Sequence, residues 1–133
     1  MADKAKKPLT TEQIEQLATE IHAWLVKNEL WMDVSIYFNG KRWSTMKRDG
    51  DNYEFCYNEN RYFEDIADPK DYFEYVREPE NILSMSFEGA LYDVLHGCTR
   101  DCVNLAEEFL AIFEKRGLYY EYGNAWNLTA FEV

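Results

Sequence analysis

The residues with the clearest potential for chemistry lie in one short run, His96-Gly97-Cys98-Thr99-Arg100-Asp101-Cys102. A thiol at a helix N-terminus feels the positive end of the helix dipole, which favours the thiolate. Cys98 sits where such a helix would start, and His96 is close enough in sequence to act as its base. The same run offers His96, Cys98 and Cys102 as three soft ligands for zinc. However, the spacing H-x-C-x3-C is no established zinc signature, and a structural zinc site takes a fourth ligand. A plainer reading accounts for every residue: Gly97 ends one helix, Thr99 caps the next, and the thiols pack. We therefore expect no catalytic residue, no cofactor, no bound metal and no essential thiol here. The other histidine, His22, falls beside the apolar stripe of a helix and reads as a hydrogen-bonded packing residue. The chain contains no phosphate-binding glycine loop, no HExxH and no GxSxG. Carboxylates are too numerous for any one pair to stand out as a general acid and base.

A second kind of chemistry is charge. Residues 49–80 hold eleven acidic residues against three basic ones, which is most of the chain's net charge of −11. Eight aromatic residues are threaded through the same stretch. Aromatic side chains favour folding, and carboxylates coat what has folded. Such a surface suits a positively charged partner. We take Glu54, Glu59, Tyr62, Glu64, Asp65, Asp71, Tyr72, Glu74, Tyr75 and Glu78 as its candidate residues. Nucleic acid and anionic membrane are disfavoured as direct partners because both are polyanions. A basic patch at Lys41, Arg42, Lys47 and Arg48 is expected to pair with nearby acids, namely Asp33, Asp49, Asp51 and Glu54.

Other features bound the class. A chain of 133 residues with 47% hydrophobic and 17% aromatic residues reads as one folded domain. The start, residues 1–9, has three lysines but no apolar run behind them, so it reads as a disordered lead-in rather than a signal peptide. Three cysteines and no exported leader suggest reduced thiols and a cytoplasmic location. The domain proper is expected over residues 10–133.

The positioning elements follow from periodicity. Ile14, Leu17, Ala18, Ile21 and Leu25 share one helical face behind a Thr10/Gln13 capping box. Residues 30–38 alternate and lead into Asn39-Gly40, the signal of a two-residue hairpin turn. Ile36 then pairs with Trp43, and Tyr37 with Arg42. A second turn at 49–51 is expected as a three-residue loop that places Phe55 opposite Thr45 and turns Tyr53, Phe55 and Tyr57 inward. Residues 58–67 read as loop. Asp68-Pro69 starts a short helix that Pro79 stops. Residues 82–87 alternate like a short strand, 87–95 read as helix, and a further helix runs from the Thr99 cap to Gly117. A last hairpin is expected to turn at Gly123-Asn124. The fold class is α+β: one antiparallel sheet of about five strands, made of a three-strand meander plus the C-terminal hairpin, with helices on one face.

These features favour a small acidic, non-enzymatic binding protein. We expect an inhibitor that occupies a basic, nucleic-acid-binding site on another protein. Phage and mobile-element proteins that block restriction or CRISPR enzymes mimic DNA in this way, and the similarity is one of size, charge and texture. The alternatives are an escort for a basic partner, either an immunity protein or a small acidic secretion chaperone, and thirdly an enzyme built on His96, Cys98 and Cys102.

Overall fold

The computed structural model describes residues 9–67, 82–97 and 99–133. The first helix, α1, spans Thr11–Lys27 and opens on the expected reciprocal cap: the Thr10 hydroxyl accepts from the Gln13 amide, and the Gln13 side chain accepts from the Thr10 amide. Leu17, Ala18, Ile21 and Leu25 are buried along its inner face. Leu9, just before the cap, packs against the core.

Strands β1 (Val34–Phe38) and β2 (Lys41–Ser44) form the first hairpin, with Ile36 opposite Trp43 and Tyr37 opposite Arg42. Asn39 and Gly40 both have positive φ, 50° and 75°, as this tight turn demands. After β2 the chain leaves the sheet. Strands β3 (Met46–Asp49) and β4 (Asn52–Phe55) make a separate two-stranded hairpin. The chain then returns as β5 (Phe63–Ile66), which pairs with the outer side of β2. Strand β6 (Ser84–Phe87) lies on the other side of β1. Helices α2 (Ala90–Leu95) and α3 (Arg100–Glu114) follow, then β7 (Leu118–Asn124) and β8 (Asn127–Glu132). The six-stranded sheet has the order β5-β2-β1-β6-β8-β7, antiparallel throughout.

One face of the sheet carries Val34, Ile36, Phe38, Trp43, Met85, Phe87, Leu128 and Ala130. All are buried in one core with residues of α1, α2 and α3. The opposite face is polar, with Ser84 and Thr129 hydroxyls 3.0 Å apart and the Tyr37 hydroxyl 3.1 Å from that of Ser86.

Several expectations need correction. The strands number six plus two rather than about five, because 63–66 is a strand and not loop. The β3–β4 hairpin uses the two-residue turn Gly50-Asp51, not three residues: Met46 is opposite Phe55, Lys47 opposite Glu54, Arg48 opposite Tyr53 and Asp49 opposite Asn52. Cys56, not Phe55, faces Thr45. Its amide donates to the Thr45 carbonyl at 2.9 Å, and its side chain is fully buried. A register moved by one residue turns every side chain to the other face, so Tyr53 and Phe55 point to solvent. Helix α2 starts at Ala90, and Phe87 is a strand residue. The last hairpin turns at Ala125-Trp126, while a register shift between Tyr122 and Asn124 leaves Gly123 at a bulge. Asn124 serves the turn with its side chain, accepting from the Trp126 amide at 3.0 Å. The helix expected at Asp68–Pro79 lies outside the described residues, as do residues 1–8 and Cys98. Among the described residues no helix is long and apolar enough to cross a membrane.

Candidate functional site

The predicted acidic surface is only partly together. Glu54 and Glu59 both bind Arg61, at 3.4 and 2.7 Å. Glu64 accepts from the Trp43 indole at 2.8 Å and lies 3.5 Å from Lys41, which also binds Glu15 at 2.7 Å. Asp65 binds Arg42 at 2.7 Å. Half of the basic patch is thus paired: Lys41 with Glu15 and Glu64, and Arg42 with Asp65, rather than with Asp33, Asp49, Asp51 and Glu54. Lys47 and Arg48 have no ion pair among the described residues, and the Arg48 guanidinium donates to the Gly50 carbonyl at 2.9 Å. The pairing across β2 and β5 puts Arg42 opposite Asp65 and Trp43 opposite Glu64. These pairs mean that four of the predicted acids already have cations within the protein. Asp71, Tyr72, Glu74, Tyr75 and Glu78 lie outside the described residues.

Tyr62 is 38% exposed and is packed on its inner side. Its ring stacks on Trp43 with centroids 3.9 Å apart, and its edge meets His22. The loop carrying it is tied down by the Trp31 indole and His22 Nε2, both on the Arg61 carbonyl at 3.0 and 3.2 Å. Burial pushes the His22 imidazole below its ordinary value, and its hydrogen bonds to backbone carbonyls oppose that only in part.

Of the His96 cluster, Cys98 lies outside the described residues, and His96 and Thr99 make structural contacts. The Thr99 hydroxyl caps α3 by accepting from the Cys102 amide at 3.1 Å. His96 Nε2 is 2.9 Å from the Ala125 carbonyl, and its ring packs against Tyr92 at 4.2 Å. His96 therefore braces the tip of the last hairpin. Among the described residues, no three His, Cys, Asp or Glu side chains converge to hold a metal ion.

A different set of residues gathers at the end of the sheet where β2 leaves, β6 finishes and β8 begins. The first part is the β3–β4 hairpin. Met46, Tyr53 and Phe55 share one of its faces and are 42%, 51% and 45% exposed. The Arg48 guanidinium lies 5.7 Å from the Tyr53 ring centre, and Phe55 packs on Tyr57 at 5.1 Å. The second part is a cleft of about 440 Å³ beside the hairpin, lined by Asp33, Ser35, Ser44, Met46, Ser86 and Glu88, with Arg42 and Trp126 on its walls. Glu88 and Trp126 also line a smaller hollow of about 230 Å³ with Gly89 and Tyr92.

Local chain geometry builds this end. Asp33 has φ 55° and Gly89 φ 68°, both in the left-handed region. The Glu88 amide donates to the Asp33 carbonyl at 3.0 Å, and the Phe87 amide to the Trp126 carbonyl at 2.8 Å. Together these bonds join the start of β1, the end of β6 and the last turn. The Tyr57 hydroxyl donates to Asp33 at 2.7 Å, locking the hairpin base to the cleft. Burial, and then the Asp33 carboxylate, push the Tyr57 phenol up to about 12. Trp126 has its backbone held on both sides, yet its side chain is 45% exposed. A fixed backbone beneath an exposed indole is a preorganised contact.

Met46, Glu88, Tyr92 and Trp126 were not picked out from the sequence, and Asp33 was picked out only as a partner for the basic patch. Trp126 gave no local signal, because a turn read at Gly123-Asn124 places it on the returning strand; the pairing of Asn124 with Asn127 puts it in the turn. Compared with known proteins, the chain matches no family model, no curated protein and no solved structure.

Proposed function

We propose that this is a binding protein without chemistry of its own, which seats the hairpin end of its sheet on a basic surface of another protein. An inhibitor occupying a nucleic-acid-binding site would act in this way. The observation that carries the reading is the β3–β4 hairpin: it contributes nothing to the six-stranded sheet, yet it presents Met46, Tyr53 and Phe55 to solvent in one row. Exposed aromatic residues of this kind supply most of the energy at protein interfaces. Asp49 precedes the turn of the same hairpin and Asp51 lies in it, and neither has an ion pair among the described residues. With a net charge of −11, the chain as a whole adds long-range attraction to a cationic partner, which raises association rates. Relative to the sequence reading, the proposed contact moves from Glu54, Glu59, Glu64 and Asp65, already paired internally, to the other face of the hairpin, which carries Tyr53 and Phe55, and to its neighbouring cleft.

The test is affinity capture from the source cells with the wild-type protein and a Tyr53→Ser/Phe55→Ser variant, followed by kinetic binding to the captured protein. The reading expects a basic nucleic-acid-binding protein, displaced by competing duplex DNA. It expects the double variant to weaken binding at least thirtyfold, mainly through faster dissociation, on the basis of about 1–2 kcal/mol per interface aromatic. Unchanged affinity of the double variant, or a captured protein indifferent to DNA, would overturn it.

A further inference from the structure

We infer that the cleft around Glu88 and Trp126 is a receptor for an arginine side chain of the basic partner. The inference rests on the binding reading above and names the group that the partner inserts.

The chemistry of the lining makes the assignment. Asp33 and Glu88 place two carboxylates in one cleft of about 440 Å³, with the Ser86 hydroxyl beside them. Trp126 forms a wall of that cleft and of the adjoining hollow of about 230 Å³, whose other aromatic wall is Tyr92. A water molecule's share of liquid volume is about 30 Å³, so the smaller hollow alone has room for the end of a long side chain. Aromatic faces attract cations, and indole does so best. A guanidinium is planar, stacks on aromatic rings and carries five donors in a fixed fork, which suits a site combining indole, carboxylates and a hydroxyl. An ammonium is compact and strongly hydrated, and it gains less from a flat wall.

The charge balance holds when the resident cation is counted. Arg42 also lines the wider cleft, but its Nη2 donates at 2.7 Å to Asp65 on β5. The Asp33 carboxylate accepts one bond from Tyr57, through Oδ1. Glu88 has no ion pair among the described residues. The cleft therefore keeps net negative charge on the side that Trp126 covers. Its walls are already set in place: Asn124 and β6 hold the Trp126 backbone, and His96 supports Tyr92 and Ala125. Little ordering is left for a ligand to impose, which favours binding.

The experiment is an NMR titration of the isolated protein with three blocked tripeptides, Gly-Arg-Gly, Gly-Lys-Gly and Gly-citrulline-Gly. The Trp126 indole resonance is assigned by its absence in Trp126→Phe. The expected result is a dissociation constant in the millimolar range for the arginine peptide. Shifts should be concentrated at Trp126, Glu88 and Tyr92, at least fivefold weaker with lysine and absent with citrulline. Glu88→Gln and Trp126→Ala should each weaken arginine binding about fivefold or more, as a partly exposed cation–π or charge contact does. The remaining tryptophan indole resonances report that each variant is folded. Glu114→Gln, an acid on the solvent face of α3, should leave binding within about twofold if nonspecific attraction is the lesser contribution. Equal binding of citrulline, equal binding of lysine, or shifts that persist in Glu88→Gln would overturn the assignment. The outcome is separable from that of the broader reading. Failure of the arginine peptide leaves hairpin-dependent capture of a partner untouched, and loss of hairpin dependence leaves peptide binding at Trp126 intact.

Discussion

Replacing Phe55 by alanine distinguishes the two registers open to the hairpin of residues 46–55. In the observed register Phe55 lies opposite Met46 with 45% of its surface in solvent. Full burial of a phenylalanine contributes about 1.5–3 kcal/mol, so a half-buried ring contributes about 1–1.5. The cross-strand contact with Met46 adds roughly 0.5 kcal/mol. The expected loss is therefore about 1.5–2 kcal/mol. In the other register Phe55 would face Thr45 inside the core, and truncation would cost about 3–5 kcal/mol through the cavity left behind. At about 2.1 cal/mol/K per residue, a chain of this length unfolds with roughly 0.28 kcal/mol/K of entropy near its melting point. The two costs then become drops in melting temperature of about 5–7 °C and about 11–18 °C. Phe109→Ala calibrates the second figure within the same protein. That ring is fully buried and packs on Trp24, Phe113 and Tyr120. Calorimetry of the three proteins under one buffer condition is the assay. A Phe55→Ala shift as large as that of Phe109→Ala would refute the outward-facing hairpin and, with it, the surface on which binding is proposed.

Because burial lowers the His22 imidazole, the unfolded chain takes up that proton first as pH falls through about 6.5. The His22 contribution is therefore fully present above that pH and is lost progressively towards the lower folded value. Urea midpoints measured from pH 7.5 to 5 should fall, and His22→Gln should flatten the profile; an unchanged slope would mean that His22 is not the group involved. Gly89 has φ 68° and ψ −132°, a conformation that side chains rarely adopt, while a Cβ there would meet only Asp33 Oδ2 at an ordinary 3.5 Å. Gly89→Ala should therefore cost about 1–3 kcal/mol through backbone strain alone, and a urea midpoint equal to wild type would show that the turn relaxes freely.

Local patterns carried much of the architecture. The period of α1 and the Thr10/Gln13 box are interactions within a few residues, so they read directly from the chain. Asn39-Gly40 is equally local, since two positive φ values leave few residue choices, and it set the pairing of Ile36 with Trp43. The His96–Thr99 break between α2 and α3 was legible for the same reason. The second hairpin was not. Gly50 fits a two- or three-residue loop, and the choice between them depends on what lies under Phe55. Burying aromatics favoured the longer loop, but the buried position opposite Thr45 is taken by Cys56.

Strand β5 was also invisible locally. Residues 63–66 are Phe-Glu-Asp-Ile, with too many charges for a strand on propensity. Tertiary pairing sets Glu64 beside Lys41 and the Trp43 indole, and Asp65 against Arg42, so the charges become cross-strand partners. That pairing also decided the fate of the acidic surface, because sequence counts carboxylates but not the cations placed beside them. The cleft at Asp33, Glu88 and Trp126 draws on segments some 90 residues apart in the chain. No period or spacing links them; they meet because β1, β6 and β8 are neighbours, and hydrogen-bonded strand order is a property of the folded sheet. Composition thus determined that the chain would fold and carry excess negative charge, whereas tertiary pairing decided which of those charges remain available to a partner.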